Sequence, residues 1–344
     1  MSQETLATIW FALIFVLLAG YAMLDGFDLG VGVLHLFLPK SEHDRRVSMN
    51  SVGPVWDGNE VWLLTGGGAL FAAFPPVYAT VFSGLYIALM LVLLCLIARG
   101  TSMEFRSKVE SPRWRRAWDI AFGLGSGVAA LLFGVAFGNI LRGLPINSER
   151  AFVGSFIGLL NPYSLLIGVL TLSLFTMHGA IYLTLKSEGD LHERAAALVL
   201  PLYRTTLVLY IIATTATIIV SPFLMQGAAK NPLVWILFIP LLVALTRIAK
   251  YAKPQAAKYG SALIASSAAI LCMMGLAGVS LFPRLVPSRI DLANSLTIHN
   301  SSSTQRTLLT MLVIALVGMP LVIAYTAIIY RAFKGKVVLG EESY

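Results

Sequence analysis

Charge is what this sequence has least of. Only 12% of its 344 residues are Asp, Glu, Lys or Arg, about half the share carried by a soluble domain. Hydrophobic residues make up 57%, and the mean hydropathy is +0.80. Too little polar surface is left to cover a water-soluble globule. Cysteine is nearly absent. Cys95 and Cys272 sit alone in separate apolar blocks, which provides no pair for a disulfide and no metal site, so they read as small core residues. The first five residues contain Glu4 and no Lys or Arg. Without the basic start of a secretory signal, the first apolar block is expected to be a retained helix.

Apolar sequence in long blocks is what remains. A crossing helix needs about 20 such residues to span about 30 Å of hydrocarbon. Nine blocks qualify: Leu6–Leu38, Ser51–Phe74, Val77–Ala98, Trp118–Leu141, Tyr163–Leu185, Leu198–Val220, Leu233–Ala249, Tyr259–Leu281 and Thr307–Tyr330. The first is longer than one simple crossing and is either an extended helix or a helix broken near Gly26. Phe74-Pro75-Pro76 makes a tight reversal between the second and third, because proline cannot continue a helix ladder. No internal repeat is evident, and no connection is long enough to fold separately, so residues 1–344 are expected to form one all-α polytopic membrane domain.

The net charge of +8 would suit nucleic acid, but its distribution argues for topology instead. With the N-terminus outside, only Arg142, Arg150, Lys230, Arg284, Arg289 and Arg306 fall in outer segments. The other nineteen of the 25 basic residues, Arg99 and Arg106 among them, fall in inner ones. Basic residues collect on the cytoplasmic side, so the C-terminus is expected inside.

Two acidic strings interrupt the apolar blocks. Asp25 and Asp28 lie in Gly20–Gly30, and Asp57 and Glu60 lie in Trp56–Trp62, each pair spaced i, i+3 on one helix face. A charged carboxylate in hydrocarbon is costly, so these acids must face protein, water or a partner. Asp25 and Asp57 read as members of a proton path. Glu60 and Asp28 serve either that path or helix–helix adhesion. Asn59 could hold water, and Trp56, Gly26 and Gly58 would fix the packing. Counted from Asn50, Asp57 falls roughly 10 Å deep at 1.5 Å per residue.

Here a resemblance becomes specific. Gly20–Gly32, Asn50–Leu63, Gly68–Pro75, Arg106–Lys108, Gly134–Asn139, His178–Leu183, Phe282-Pro283, Ser295–Ile298 and Tyr325-Thr326 together resemble subunit II of the bacterial cytochrome bd-type quinol oxidases. Several details are similar to the cyanide-insensitive branch. The matches run in order along nearly the whole chain. The resemblance implies two four-helix bundles plus a peripheral helix in the bacterial cytoplasmic membrane. It also implies a partner, subunit I, that carries haems b and d and the site of quinol oxidation. The complex would oxidise quinol and reduce dioxygen to water with protons drawn from the cytoplasm. Subunit II, haem-free and inactive alone, would stabilise subunit I and line one proton-uptake route. Some members hold a structural quinone, and small accessory membrane subunits and lipids complete the expected partners. Position 60 is Glu here where some members have Gln, which weakens the case for a required acid there.

His178 is the one histidine deep in an apolar block. A lone intramembrane histidine could ligate haem, but it is more often a hydrogen-bonded packing residue, and a bis-axial haem would need a second ligand. The Gly134–Gly138 GxxxG string means close helix packing, within the chain or against a partner. Arg113-Trp114-Arg115-Arg116 could meet anionic headgroups, although such runs are more often solvated loop ends. The rival function is a proton-coupled secondary transporter, for which inverted repeats would be expected. A bare scaffold is the third reading.

Overall fold

The computed structural model describes residues 1–253 and 257–340. Positions 254–256 of one inner connection and 341–344 of the tail, assigned above to the same domain and the cytoplasmic side, lie outside the described residues. The chain is helical nearly throughout: α1 (Gln3–His35), α2 (Glu42–Val52), α3 (Trp56–Ala73), α4 (Pro75–Gly84), α5 (Tyr86–Phe105), α6 (Pro112–Arg142), α7 (Phe156–Leu159), α8 (Pro162–Lys186), α9 (Gly189–Val220), α10 (Pro232–Tyr251), α11 (Tyr259–Leu281), α12 (Ile298–Ser301) and α13 (Gln305–Ala332). Among the described residues, eight helices are long and apolar enough to cross a membrane. The remaining expected pass corresponds to α3, whose first turns carry Asp57, Asn59 and Glu60 and so fall short on hydropathy.

α1 is the extended helix of the two alternatives, unbroken at Gly26. At 33 residues it runs about 50 Å, and it packs against α3, α6, α8 and α11. With α3, α4–α5 and α6 it forms one group of passes. α8, α9, α10 and α11 form a second, joined to the first where α8 crosses α1 and α6. α13 lies apart, with Leu308 its only buried residue. Leu85 alone separates α4 from α5, and backbone hydrogen bonds run through it, so the two form one bent pass beginning at the Pro75-Pro76 reversal.

Several boundaries differ from expectation, with α9 beginning at Gly189 rather than Leu198 and α6 at Pro112 rather than Trp118, and two of the differences bear on the site. The second apolar block does not start a helix at Ser51. α2, opened by a Ser41–Asp44 capping box, carries the chain inward, and Pro54 breaks the ladder before α3 begins at Trp56, because it has no N–H to give. The third block extends past Ala98 to Phe105, which takes Arg99 out of the connecting segment and into α5.

The first described residues and those after α13 lie at opposite ends of the bundle. At one, Gln3 donates to the Ser303 carbonyl and the Ser303 N–H donates to Ala73. A two-stranded ribbon, β1 (Arg284–Val286) with β2 (Leu296–Thr297), closes this end together with α7 and α12. At the other, Arg194 pairs with Asp44 at 2.6 Å, and the tail after α13 tucks under α8, where the Val337 N–H bonds to the Lys186 carbonyl and Lys336 Nζ to those of Thr184 and Ser187.

Candidate functional site

The acids of α1 meet a cation that the basic-residue count had placed in a connecting segment. Arg99, fully buried in α5, donates Nη1 to Asp25 Oδ2 at 2.8 Å and Nη2 to Asp25 Oδ1 at 2.6 Å. The planar guanidinium matches a carboxylate in this two-point fashion. It also lies 3.5 Å from Glu60 Oε1 and 5.9 Å from the centre of the Trp56 ring. One turn along α1, Asp28 accepts from Asn59 Nδ2 at 2.7 Å. That amide also reaches the Leu24 carbonyl, while its own carbonyl oxygen accepts from Tyr330 OH at 3.0 Å. Four passes, α1, α3, α5 and α13, thus contribute to one polar knot in an apolar body.

The knot is fully paired only around Asp25, whose two oxygens are both taken by Arg99. Asp28 Oδ1, Glu60 Oε1 and the Tyr21 hydroxyl are buried without a hydrogen-bond partner. Leaving a buried polar atom without a partner is costly. Of the residues singled out in the sequence, Asp25, Asp28, Asn59, Glu60 and Trp56 come together.

Asp57 stands elsewhere. It lies in the first turn of α3 on that helix's exposed side, in line with Val61, Leu64, Gly68 and Phe71. It is therefore not paired with Asp25 across antiparallel helices. Asn59 is level with the Leu24–Asp28 turn, and α1 runs seven residues beyond Asp28 to its end at His35, which leaves the start of α3 about 10 Å in. α2 and the Pro54 break bring it there. Gly26 abuts the Phe175 ring so closely that a methyl group would collide, whereas one at Gly58 would stop 3.8 Å from Tyr325. Gly26 is thus required for packing and Gly58 is not.

A second polar group, not anticipated, closes the end of the bundle where α1 terminates, between α1, α2, α5 and α6. Asp119 accepts from His35 Nε2 at 2.7 Å and from Arg106 Nε at 2.6 Å. The other edge of Arg106 forks onto Glu42 at 2.8 and 3.0 Å, and this guanidinium holds the Glu42 carboxyl below the usual range. His35 Nδ1 lies 3.2 Å from the Ser48 hydroxyl. Arg106 and Glu42 are 64 residues apart, and nothing in their local spacing marks them.

His178 is fully buried with both ring nitrogens engaged. Nε2 donates to the Met23 carbonyl at 3.0 Å, and Nδ1 pairs with the Ser266 hydroxyl at 2.7 Å. It ties α8 to α1 and α11 and leaves no free ring nitrogen for an axial bond. The GxxxG string packs inside the chain: a methyl on Gly134 would strike the Gly168 backbone, and one on Gly138 that of Ser164, both on α8. An apolar cavity of about 330 Å³ opens between α6, α8, α9, α10 and α11, with Phe175, Tyr210, Thr214 and Met273 in its walls.

Known proteins are similar to this chain in sequence and fold. A model of the family described as cytochrome bd terminal oxidase subunit II matches residues 6–333. The chain is 38% identical to cytochrome bd-I ubiquinol oxidase subunit 2 of Escherichia coli K12, over 97% of this chain and 96% of that one. It is 36% identical to cytochrome bd ubiquinol oxidase subunit 2 of Bacillus subtilis 168, over 97% and 98%. In three dimensions it is similar to a chain of the bd oxidase from Geobacillus thermodenitrificans, with a TM-score of 0.76 at 18% sequence identity over 96% and 98% of the two chains.

Proposed function

Because the chain belongs to the cytochrome bd terminal oxidase subunit II family, we propose that it is the haem-free subunit of a membrane quinol:oxygen oxidoreductase, lining a proton route from the cytoplasm. The single observation that carries this reading is the buried knot around Asp25, Asp28, Glu60 and Arg99. Reducing dioxygen to water consumes protons, and hydrocarbon does not conduct them, so titratable groups and waters must bridge the distance.

The roles differ from those the sequence suggested. Asp25, with both oxygens on Arg99, is a fixed counter-charge. Asp28, with an oxygen that accepts no hydrogen bond, and Glu60, whose Oε1 has only the looser 3.5 Å ion pair with Arg99, are the proton carriers. The Asp119–His35 pair stands at the inner mouth, seven residues along α1 from Asp28, about 10 Å. Glu60, one-fifth exposed, and then Asp57 lead outward to the face of α3. An acid beside Val61, Leu64 and Phe71, three residues 40%, 72% and 58% exposed, is unsuited to lipid. We assign this face to subunit I, which the chain would stabilise. The haems, which supply the oxygen chemistry, are assigned to that partner, consistent with the full engagement of His178. The cavity between α6 and α8–α11 suits the apolar tail of a structural quinone.

In the assembled oxidase, Asp28→Asn and Glu60→Gln keep shape but remove the titrating proton. Quinol-driven oxygen consumption should fall by on the order of a hundredfold in Asp28→Asn, and by less in Glu60→Gln, with haem content unchanged. Turnover equal to the parent in both variants would refute the route, and loss of haem in both would favour a scaffold.

The nineteen-to-six distribution of basic residues supports an N-terminus outside and a tail inside. In a Cys95→Ser, Cys272→Ser background, cysteines at Ser2 and Val338 should label from opposite faces of sealed vesicles. Labelling from one face would overturn the nine-pass topology.

A further inference from the structure

At the inner end of the bundle, an open cleft of about 550 Å³ lies between α2 and the start of α6, with Glu42, Arg45, Arg115, Arg116 and Asp119 in its walls. Its charge does not balance. Arg106 from below already forks onto both carboxylates, at 2.8 Å to Glu42 and 2.6 Å to Asp119. Arg45 then approaches Asp119 at 3.4 Å and Arg115 approaches Glu42 at 3.6 Å, each as a second cation on a satisfied acid. Arg116 makes no ion pair among the described residues and is exposed. Four guanidiniums thus face two carboxylates, an excess of two positive charges.

Independent features of the same wall ask for an anion. Arg115 Nε is buried without a hydrogen-bond partner. α6 begins here with Pro112 in its first turn, and its Ser111 cap makes no side-chain bond to the N–H groups that follow. Uncapped first-turn N–H groups carry the positive end of the helix dipole. On the same first turns of α6, Trp118 stacks on Phe105 at 5.7 Å and Trp114 packs edge-on against Trp118 at 5.5 Å. Tryptophans of this kind sit at headgroup level in a bilayer.

We propose that this cleft is a binding site for a phosphate oxyanion, held by Arg45, Arg115 and Arg116 at the level where an anionic phospholipid presents its headgroup. The phosphodiester of such a lipid and free inorganic phosphate share the recognised chemistry. The exposed Ile120 in the cleft wall, and the tryptophans on the same turns of α6, favour the lipid, whose acyl chains would descend beside Ile120.

Native mass spectrometry of the intact detergent-solubilised complex, titrated with phosphatidylglycerol and separately with phosphatidylcholine, tests the site. The parent should bind one phosphatidylglycerol in preference to phosphatidylcholine. The Arg45→Gln, Arg115→Gln, Arg116→Gln triple variant should bind it roughly tenfold or more weakly, given what each basic side chain contributes near an anionic headgroup. Arg116→Gln alone breaks no ion pair, so it reports on the site without endangering the fold, and it should also weaken binding. Arg113→Gln, outside the cleft wall, should not. Displacement of the bound lipid by millimolar inorganic phosphate would identify free phosphate as a ligand of the same site, and resistance to it would identify the headgroup. Equal binding of the two lipids by the parent, or unchanged phosphatidylglycerol binding by both the triple variant and Arg116→Gln, would overturn the proposal.

Discussion

Replacing Arg99 with leucine should cost about 3–5 kcal/mol of stability, the usual consequence of removing one partner from a buried ion pair. Both oxygens of Asp25 are held by the one guanidinium, at 2.8 and 2.6 Å. With the cation gone, a fully buried carboxylate and the nearby Glu60 would face each other uncompensated. The measurement is the thermal midpoint and yield of the purified complex. A second substitution separates this account from simple loss of side-chain volume. Asp25→Asn combined with Arg99→Gln removes both charges and keeps similar shapes, so the double variant should recover a substantial part of the loss, as expected for directly coupled residues. An Arg99→Leu complex as stable as the parent would show that the pair does not hold α5 to α1.

A comparable effect is expected from Gly179→Val. Here α8 crosses α1 with backbone on backbone: a Cβ on Gly179 would meet the main chain of Gly30 and Val31, and one on Gly30 would meet the Phe175 carbonyl. A flexible side chain can turn aside, but two helix backbones cannot, so the helices must separate. Overpacking commonly costs about 1–3 kcal/mol when side chains can adjust, and a backbone collision falls at or beyond the upper end. The complex should accumulate poorly, with a lowered thermal midpoint. Gly67→Ala provides the contrast, because nothing lies within 4 Å of a Cβ there. If the two variants behaved alike, close helix approach at Gly179 would not be the reason for glycine.

How far the sequence led depended on the range of the interaction. The apolar blocks located the passes, because a long run without charge has few alternatives to a crossing helix. The Pro75-Pro76 reversal marked the start of α4. Gly53-Pro54 carried an equally local signal for the break before α3, but the apolar residues on either side obscured it. The acids of α1 and α3 stood out because carboxylates are rare in such blocks. Their partners did not. Arg99 was read as part of a connecting segment because it follows an apolar run, and only the fold brings it back to Asp25. Glu42, His35 and Asp119 were not singled out, and Arg106 stood only within the Arg106–Lys108 match and the count of inner basic residues. Asp57 and Glu60 share a helix face by spacing, yet Glu60 turns toward Arg99 while Asp57 stays outside. Spacing along one helix does not say which edge of that face a second helix will cover.

The separation of Asp25 from Arg99 has a consequence for how the protein is made. The two lie 74 residues apart, so α1 leaves the ribosome long before its cation exists. At about 5–20 residues per second, the acid waits several seconds at the insertion machinery. In that interval α1 carries the whole cost of a carboxyl group in an apolar helix, with α6, α8 and α11 also still to come. A nascent chain stalled before α5 would therefore keep an uncompensated polar patch on its first helix. The ion pair that steadies the finished protein would thereby mark unfinished copies for the membrane's quality-control proteases.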